Sequence, residues 1–223
     1  MIAGRPKVVV ALPSYNEGHY IKKMIAEVRK YADEVLVVDD GSTDSTARLA
    51  KLAGATVIRH GKNLGYGATI MTILTEARKR VFDALVIIDA DTQHNPSDIP
   101  HLVKPVLNGY DIAIGSRSRK DIPPYRYVGG RVLSVLTRIF SGKNVFDSQS
   151  GFRCFSPRAV IVLKLREKGM AISSEMIFEA AKRNLRITEV PISVKYTKDG
   201  STMNPVVQGF YTLFRVIVMG TKR

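Results

Sequence analysis

The sequence predicts one α/β domain, a mostly parallel central sheet flanked by helices, with an amphipathic helix at the C-terminal end. Two observations carry this. Short apolar runs, β-branched for the most part, alternate with segments whose apolar residues recur at helical spacing, and strand–helix alternation is the signature of a parallel sheet. Several of these runs end directly in polar, acidic or glycine-rich loops, the positions where open α/β sheets bind ligands.

In chain order, Lys7-Val-Val-Val-Ala-Leu-Pro13 is the first expected strand, followed by the loop Ser14-Tyr15-Asn16-Glu17-Gly18. Ile21, Met24, Ile25 and Val28 then give a helix over about 19–31 its apolar face. Val35–Val38 reads as a buried strand running into Asp39-Asp40-Gly41-Ser42. Thr43 or Asp44 would cap a helix over 45–53, and Gly54 would stop it. Thr56–Arg59 is a short third strand. Gly61, Gly65 and Gly67 precede a helix over about 66–80; without a Walker lysine they read as a tight turn allowing close packing, and otherwise as a phosphate loop.

Residues 84–89 form the next expected strand, and it delivers Asp89-Ala90-Asp91-Thr92-Gln93. If the chain stays extended, Asp89, Asp91 and Gln93 share a face. Two carboxylates and an amide are hard oxygen donors suited to Mg²⁺ or Mn²⁺ carrying phosphate oxygens. The plainer reading is that Asp91 caps the following helix and Asp89 is a loop acid. Pro96 suits the first turn of that helix. Asp111–Gly115 is a further strand.

Beyond Gly115 the chain turns basic, with Arg117, Arg119 and Lys120, and Pro123-Pro124 marks a break. Residues 126–140 suit an amphipathic helix carrying Arg126, Arg131 and Arg138. A polar loop runs from Phe146 into Cys154-Phe155. A helix over 174–183 holds Glu175 and Glu179 one turn apart, and Ile187–Val194 reads as an edge strand because it contains Pro191. The final segment, 205–219, is apolar on more than one face. It suits either an interfacial helix or packing on the domain.

Composition narrows the function. The 223 residues carry 14 more basic than acidic side chains, which favours an anionic partner. A nucleic-acid surface would call for aromatics interleaved with basic residues; there is no tryptophan and no such cluster, so no nucleic-acid partner is expected. A single cysteine, Cys154, excludes an internal disulfide and fits a reducing compartment. No separate leader pattern precedes the first strand and no run reaches 18 apolar residues, so no membrane span is expected.

Taken together, Pro13-Ser14-Tyr15-Asn16-Glu17, Val38-Asp39-Asp40-Gly41-Ser42, Asp89-Ala90-Asp91-Thr92-Gln93-His94, Gly115-Ser116-Arg117, Ser150-Gly151-Phe152-Arg153 and Val190-Pro191-Ile192 resemble glycosyltransferase family 2. Within it the chain is similar to the polyprenyl-phosphate sugar transferases. The resemblance covers about 7–215 and implies a GT-A fold, a single Rossmann-like domain. It implies a glycosyltransferase domain over 1–204, with nucleotide binding in about 7–115 and acceptor binding in about 116–204, and the amphipathic helix in 205–223. The implied reaction is metal-dependent, inverting transfer of a sugar from GDP-mannose, UDP-glucose or UDP-N-acetylglucosamine to a polyprenyl phosphate.

The implied roles fall on matching residues. Pro13, Tyr15, Glu17, Val37, Asp39 and Ala90 would bind the nucleotide sugar, together with Asp89, Asp91 and Gln93 through Mg²⁺ or Mn²⁺. Arg117 and Arg126 would take the lipid phosphate; Arg131 joins them on charge and helical spacing. Asp91 and Arg117 would carry catalysis. A phosphate acceptor is already ionised near neutral pH and requires positioning by guanidinium groups rather than a base. A glycan hydroxyl acceptor would require a carboxylate base, for which Glu175 is the candidate. Glu175 otherwise reads as a helix acid or a partner for Arg153. His94 could be a ligand of the metal, but a structural or supporting role beside it is the expectation. Lys195 or Lys198 could close over the diphosphate. The expected location is the cytoplasm, peripheral on the cytoplasmic face of a membrane, held by the last helix, by basic surface or by an anchoring partner subunit.

Overall fold

The structure is a computed structural model that describes residues 5–118, 120, 124–195 and 205–221, with backbone only at 124–126 and 205–208. Among the described residues, seven strands form one sheet in the order β3-β2-β1-β4-β6-β5-β7. The strands are β1 (Val8–Ser14), β2 (Glu34–Asp39), β3 (Thr56–Arg59), β4 (Ala84–Ile87), β5 (Ile112–Arg117), β6 (Arg153–Phe155) and β7 (Ile187–Ile192). All pairings are parallel except those of β6, which runs antiparallel between β4 and β5. Arg153, read from the sequence as the end of a polar loop, thus opens a strand with Cys154 and Phe155. Three residues are too few to display a period. The Pro191 strand is at the edge, as its proline requires.

Side chains alternate across the sheet and build a core on each face. Val8, Val10 and Leu12 join Ile21, Met24, Ile25 and Val28 of α1 (Ile21–Val28), and Leu102 and Val106 of α4 (Ile99–Leu107). Val9 and Ala11 face the other way, onto Ile70, Ile73 and Leu74 of α3 (Tyr66–Ala77), Val160 of α6 (Pro157–Val162) and Ile172 and Met176 of α7 (Ile172–Lys182). Helix α2 (Thr46–Leu52) closes one flank and is stopped by Gly54 at φ 82°. The helices α5 (Pro124–Ser141) and α8 (Pro205–Thr221) pack on each other and on α7, around Leu133, Phe178 and Val216. One face of the C-terminal helix therefore belongs to the folded body.

The glycine-rich turn is a packing device. The N–H of Gly67 donates to the carbonyl of Lys168 at 2.7 Å, and a Cβ on Gly67 would run into the backbone carbonyl of Glu167. The obstacle is backbone rather than a flexible side chain, so the clash cannot be relieved by a rotamer change. Gly67→Ala should cost about 2 kcal/mol. The loss would register as a lower urea midpoint at unchanged slope.

Candidate active site

The loops at the carboxyl ends of β1, β2 and β3 are stitched into one rim. Ser42 Oγ accepts the N–H of Asn16 at 2.9 Å, Asn16 Oδ1 accepts that of Thr43 at 2.9 Å, and Thr46 Oγ1 accepts that of Glu17 at 2.9 Å. Asp44 accepts from the N–H groups of Gly18 and Thr46, each at 2.9 Å, so it fastens both the β1 loop and the start of α2. Asp40 takes the N–H groups of Leu64 and Gly65 at 2.9 Å and His60 Nδ1 at 2.7 Å. Each polar loop residue thus satisfies backbone groups that the sharp turns leave open.

Asp39 is fully buried. Its Oδ1 accepts from the N–H and the hydroxyl of Ser42, while Oδ2 has no hydrogen-bond donor; Arg59 Nε lies 3.1 Å from Oδ2 without the alignment of a hydrogen bond. A buried carboxylate oxygen without a donor is costly, so this atom is poised to accept from a ligand. Pro13 and Val37 are buried beneath the rim, Val37 completely so; Tyr15 is half-buried at its edge.

The charges of Asp91, Asp89 and Asp44 all act on Glu17, and that of Asp91 acts on Asp89. Burial, then the charges of Asp91, Asp89 and Asp44, pushes Glu17 up to about 7. Burial, then Asp91, likewise pushes Asp89 up to about 7. Among the described residues no group of three His, Cys, Asp or Glu side chains is placed to hold a metal ion by itself. The donor set nonetheless fits a divalent cation. Two repelling carboxylates are stabilised by the charge they lack, and an open coordination sphere suits ligand phosphate oxygens.

Asp89, Asp91 and Gln93 do not share a face by strand periodicity, as an extended chain would have them do. The strand ends at Ile87, two residues earlier than expected, and Thr92 takes a left-handed φ of 62°. Asp91 Oδ1 accepts the N–H of Gln93 at 3.0 Å, so a turn rather than strand periodicity sets their relation. Ala90 is buried. Asp91 is not the helix cap; Asn95 is, accepting the N–H of Ser97 at 3.1 Å. The Gln93 carbonyl accepts the N–H of Lys195 at 2.8 Å, which brings the start of the 195–204 segment to this site; Lys198 lies outside the described residues.

Tyr66 and Gly151, neither singled out as a site residue, frame Asp89. The Tyr66 hydroxyl donates to Asp89 Oδ1 at 3.4 Å, and a Cβ on Gly151 would come within 2.5 Å of Asp89 Oδ2. An aromatic directly after the left-handed Gly65 was the available signal for Tyr66. His94 Nε2 lies 3.8 Å from Asp89 Oδ2, and burial pushes this imidazole down to about 4, so it is neutral near pH 7. Its Nδ1 is buried without a hydrogen-bond partner, which fits a structural role better than a charged one.

The charge of Arg117 acts on both Asp89 and His94. Asp147 grips it twice, Nε to Oδ2 and Nη2 to Oδ1, each at 2.7 Å. Glu189 in turn accepts the N–H groups of Phe146 and Asp147 at 2.9 and 2.8 Å, and the charge of Arg131 acts on Glu189. Arg117 is thus paired with Asp147, and the charge of Arg131 reaches the Glu189 that holds the same loop. Arg126 lies in α5, where only the backbone is described.

Arg153 is buried and holds the 148–150 loop to α7. It donates to the carbonyls of Ser150 at 2.9 Å, Ser148 at 2.7 Å and Ser173 at 3.1 Å. Glu175 is not its partner. Its oxygens accept the N–H groups of Arg166 and Glu167 at 2.9–3.0 Å, a commitment that does not suit a general base.

Comparison with known proteins decides the family. A family model described as "Glycosyl transferase family 2" matches residues 9–166. The chain belongs to glycosyltransferase family 2. It is 32% identical to the UDP-N-acetylglucosamine–dolichyl-phosphate N-acetylglucosaminyltransferase of Methanococcus voltae, over 95% of each chain. It is 30% identical to the undecaprenyl-phosphate mannosyltransferase of Micrococcus luteus, over 84% of this chain and 83% of that one. Glucosyl-3-phosphoglycerate synthase from Mycobacterium tuberculosis, solved with Mn²⁺, UDP and its glucosylated product, shares the fold. Its TM-score is 0.76 at 24% identity, covering 96% of this chain and 78% of that one. This family 2 enzyme is accordingly a glycosyltransferase of GT-A fold.

Proposed function

We propose that the enzyme transfers a sugar, with inversion, from a nucleoside-diphosphate sugar to a polyprenyl phosphate. The observation that carries the proposal is Arg117, oriented by Asp147 and near enough for its charge to act on Asp89, with the charge of Arg131 reaching the adjoining Glu189. Guanidinium groups suit a phosphate, and a phosphate monoester near neutral pH requires no base. The hydroxyl-acceptor alternative loses its base candidate, because Glu175 is committed to backbone amides.

On this reading, residues of about 7–115 hold the donor and those of about 116–204 the acceptor. Asp39 Oδ2 accepts from base or ribose, with Pro13, Tyr15, Glu17, Val37 and Ala90 forming or backing the nucleotide pocket. Asp89, Asp91 and Gln93 would hold Mg²⁺ or Mn²⁺, which supplies charge neutralisation for the departing diphosphate when bound. Tyr66 and Gly151 fix the orientation of Asp89. Arg117, with Arg126 and Arg131, orients the acceptor phosphate for attack on the anomeric carbon from the face opposite the diphosphate. The polyprenyl acceptor implies a peripheral enzyme on the cytoplasmic face of a membrane. Among the described residues no helix is long and apolar enough to cross one.

The test is transfer from labelled GDP-mannose, UDP-glucose and UDP-N-acetylglucosamine, each with and without Mn²⁺. Metal-dependent movement of label into the lipid phase from one donor is the expected result. Label appearing only on a glycan acceptor would overturn the proposal. Within it, Arg117→Ala should raise the KM for polyprenyl phosphate about tenfold or more, a loss of about 1.4 kcal/mol, and leave nucleotide binding within twofold. Asp147→Ala should move the same way, since it removes the carboxylate that orients Arg117. Equal losses at both substrates would assign Arg117 to the donor.

A further inference from the structure

We propose that the outer faces of α5 and α8 together form a docking surface for an anionic lipid bilayer, so that attachment does not rest on the C-terminal helix alone. The inference builds on the reading of the acceptor as a membrane lipid. Both helices bury one side in the small core around Leu133, Phe178 and Val216. Their opposite sides carry large apolar side chains at helical spacing: Val132, Val135 and Ile139 on α5, and Phe210, Phe214 and Ile217 on α8. Exposure reaches 66% at Ile139 and 62% at Phe214, an apolar display that a fully hydrated surface does not favour.

Charge selects the occupant. The sequence holds no Asp or Glu from 122 to 146 or from 200 to 223, while it places Arg126, Arg131, Arg138 and Lys143 in the first span and Arg215, Lys222 and Arg223 in the second. Arg215 is neutralised by Glu167. Arg138 lies with its guanidinium carbon 5.4 Å from the ring centre of the exposed Phe146, a cation beside an apolar group. Two copies meeting through this face would bring like charges together. An anionic bilayer accepts both the apolar side chains and the basic ones.

The experiment is flotation of the full chain with phosphatidylcholine vesicles, with and without about 30 mol % phosphatidylglycerol. The bound fraction should be at least about fivefold higher on the anionic vesicles and should fall as salt rises from about 0.1 to 0.5 M. Ile139→Glu on α5 and Phe214→Glu on α8 should each reduce it about fivefold or more, with the melting temperature held within about 3 °C and turnover of a short, water-soluble polyprenyl phosphate unchanged. Wild-type binding by Ile139→Glu would overturn the two-helix surface. So would equal binding to neutral vesicles, or a dimer that these substitutions turn into a monomer. Loss of turnover on the soluble acceptor in the wild-type protein would instead count against the proposed reaction and leave the vesicle result standing.

Discussion

Asp91→Asn should lower sugar transfer about 10³-fold or more, equivalent to about 4 kcal/mol, while leaving the fold intact. The substitution keeps the size of the side chain and an oxygen for the Gln93 N–H, so the turn at Thr92 survives. What is lost is one of two charges able to hold a cation beside Asp89. Burial, then the charge of Asp91, holds Asp89 near 7, so Asp91→Asn should also return Asp89 toward the ordinary carboxylate range. Steady-state rates with saturating Mn²⁺, together with a thermal melt, check both halves. Chelation of divalent ions should reproduce the loss in the wild-type enzyme. Near-normal turnover in the variant would remove the metal assignment.

The second large effect is on stability. Arg153→Met should destabilise the domain by about 3 kcal/mol or more, because the carbonyls of Ser148, Ser150 and Ser173 lose their donors in a buried setting. For a chain of this size that is a fall of about 6–12 °C in melting temperature. Burial already pushes this guanidinium down to about 10, which marks how far it is removed from water. The clamp also fixes the loop that carries Asp147 and Gly151, so residual folded enzyme should show a raised acceptor KM. Differential scanning calorimetry separates the two effects. An unchanged melting temperature would mean that the carbonyls find other donors.

How far the sequence discloses this molecule depends on the range of the interaction involved. Strands such as Val8–Ser14 and Glu34–Asp39 are legible because buried parallel strands are continuous apolar runs, and burial is the dominant force. The acidic and amide residues behind them are legible through their position at strand ends. β6 is not legible, because three residues carry no period and its partners β4 and β5 lie far away in the chain. The pairing of Arg117 with Asp147 spans 30 residues and follows no local rule. Glu175 and Arg153 show the same limit. Both stand in readable positions, yet each is committed to backbone groups that only the folded chain brings within reach. Gln93 marks the opposite failure, where a local rule applied too far was defeated by a left-handed residue.

The proposed acceptor is a phosphate gripped by arginines rather than a hydroxyl activated by a base. The most direct measurement compares a polyprenyl phosphate with the corresponding polyprenol, using the one nucleotide sugar that proves active and saturating Mn²⁺. Transfer to the phosphate and none above background to the alcohol is expected, with Arg117→Ala lowering transfer to sub-saturating phosphate about tenfold and leaving the alcohol at background. Equal transfer to the alcohol, unaffected by Arg117→Ala, would contradict it.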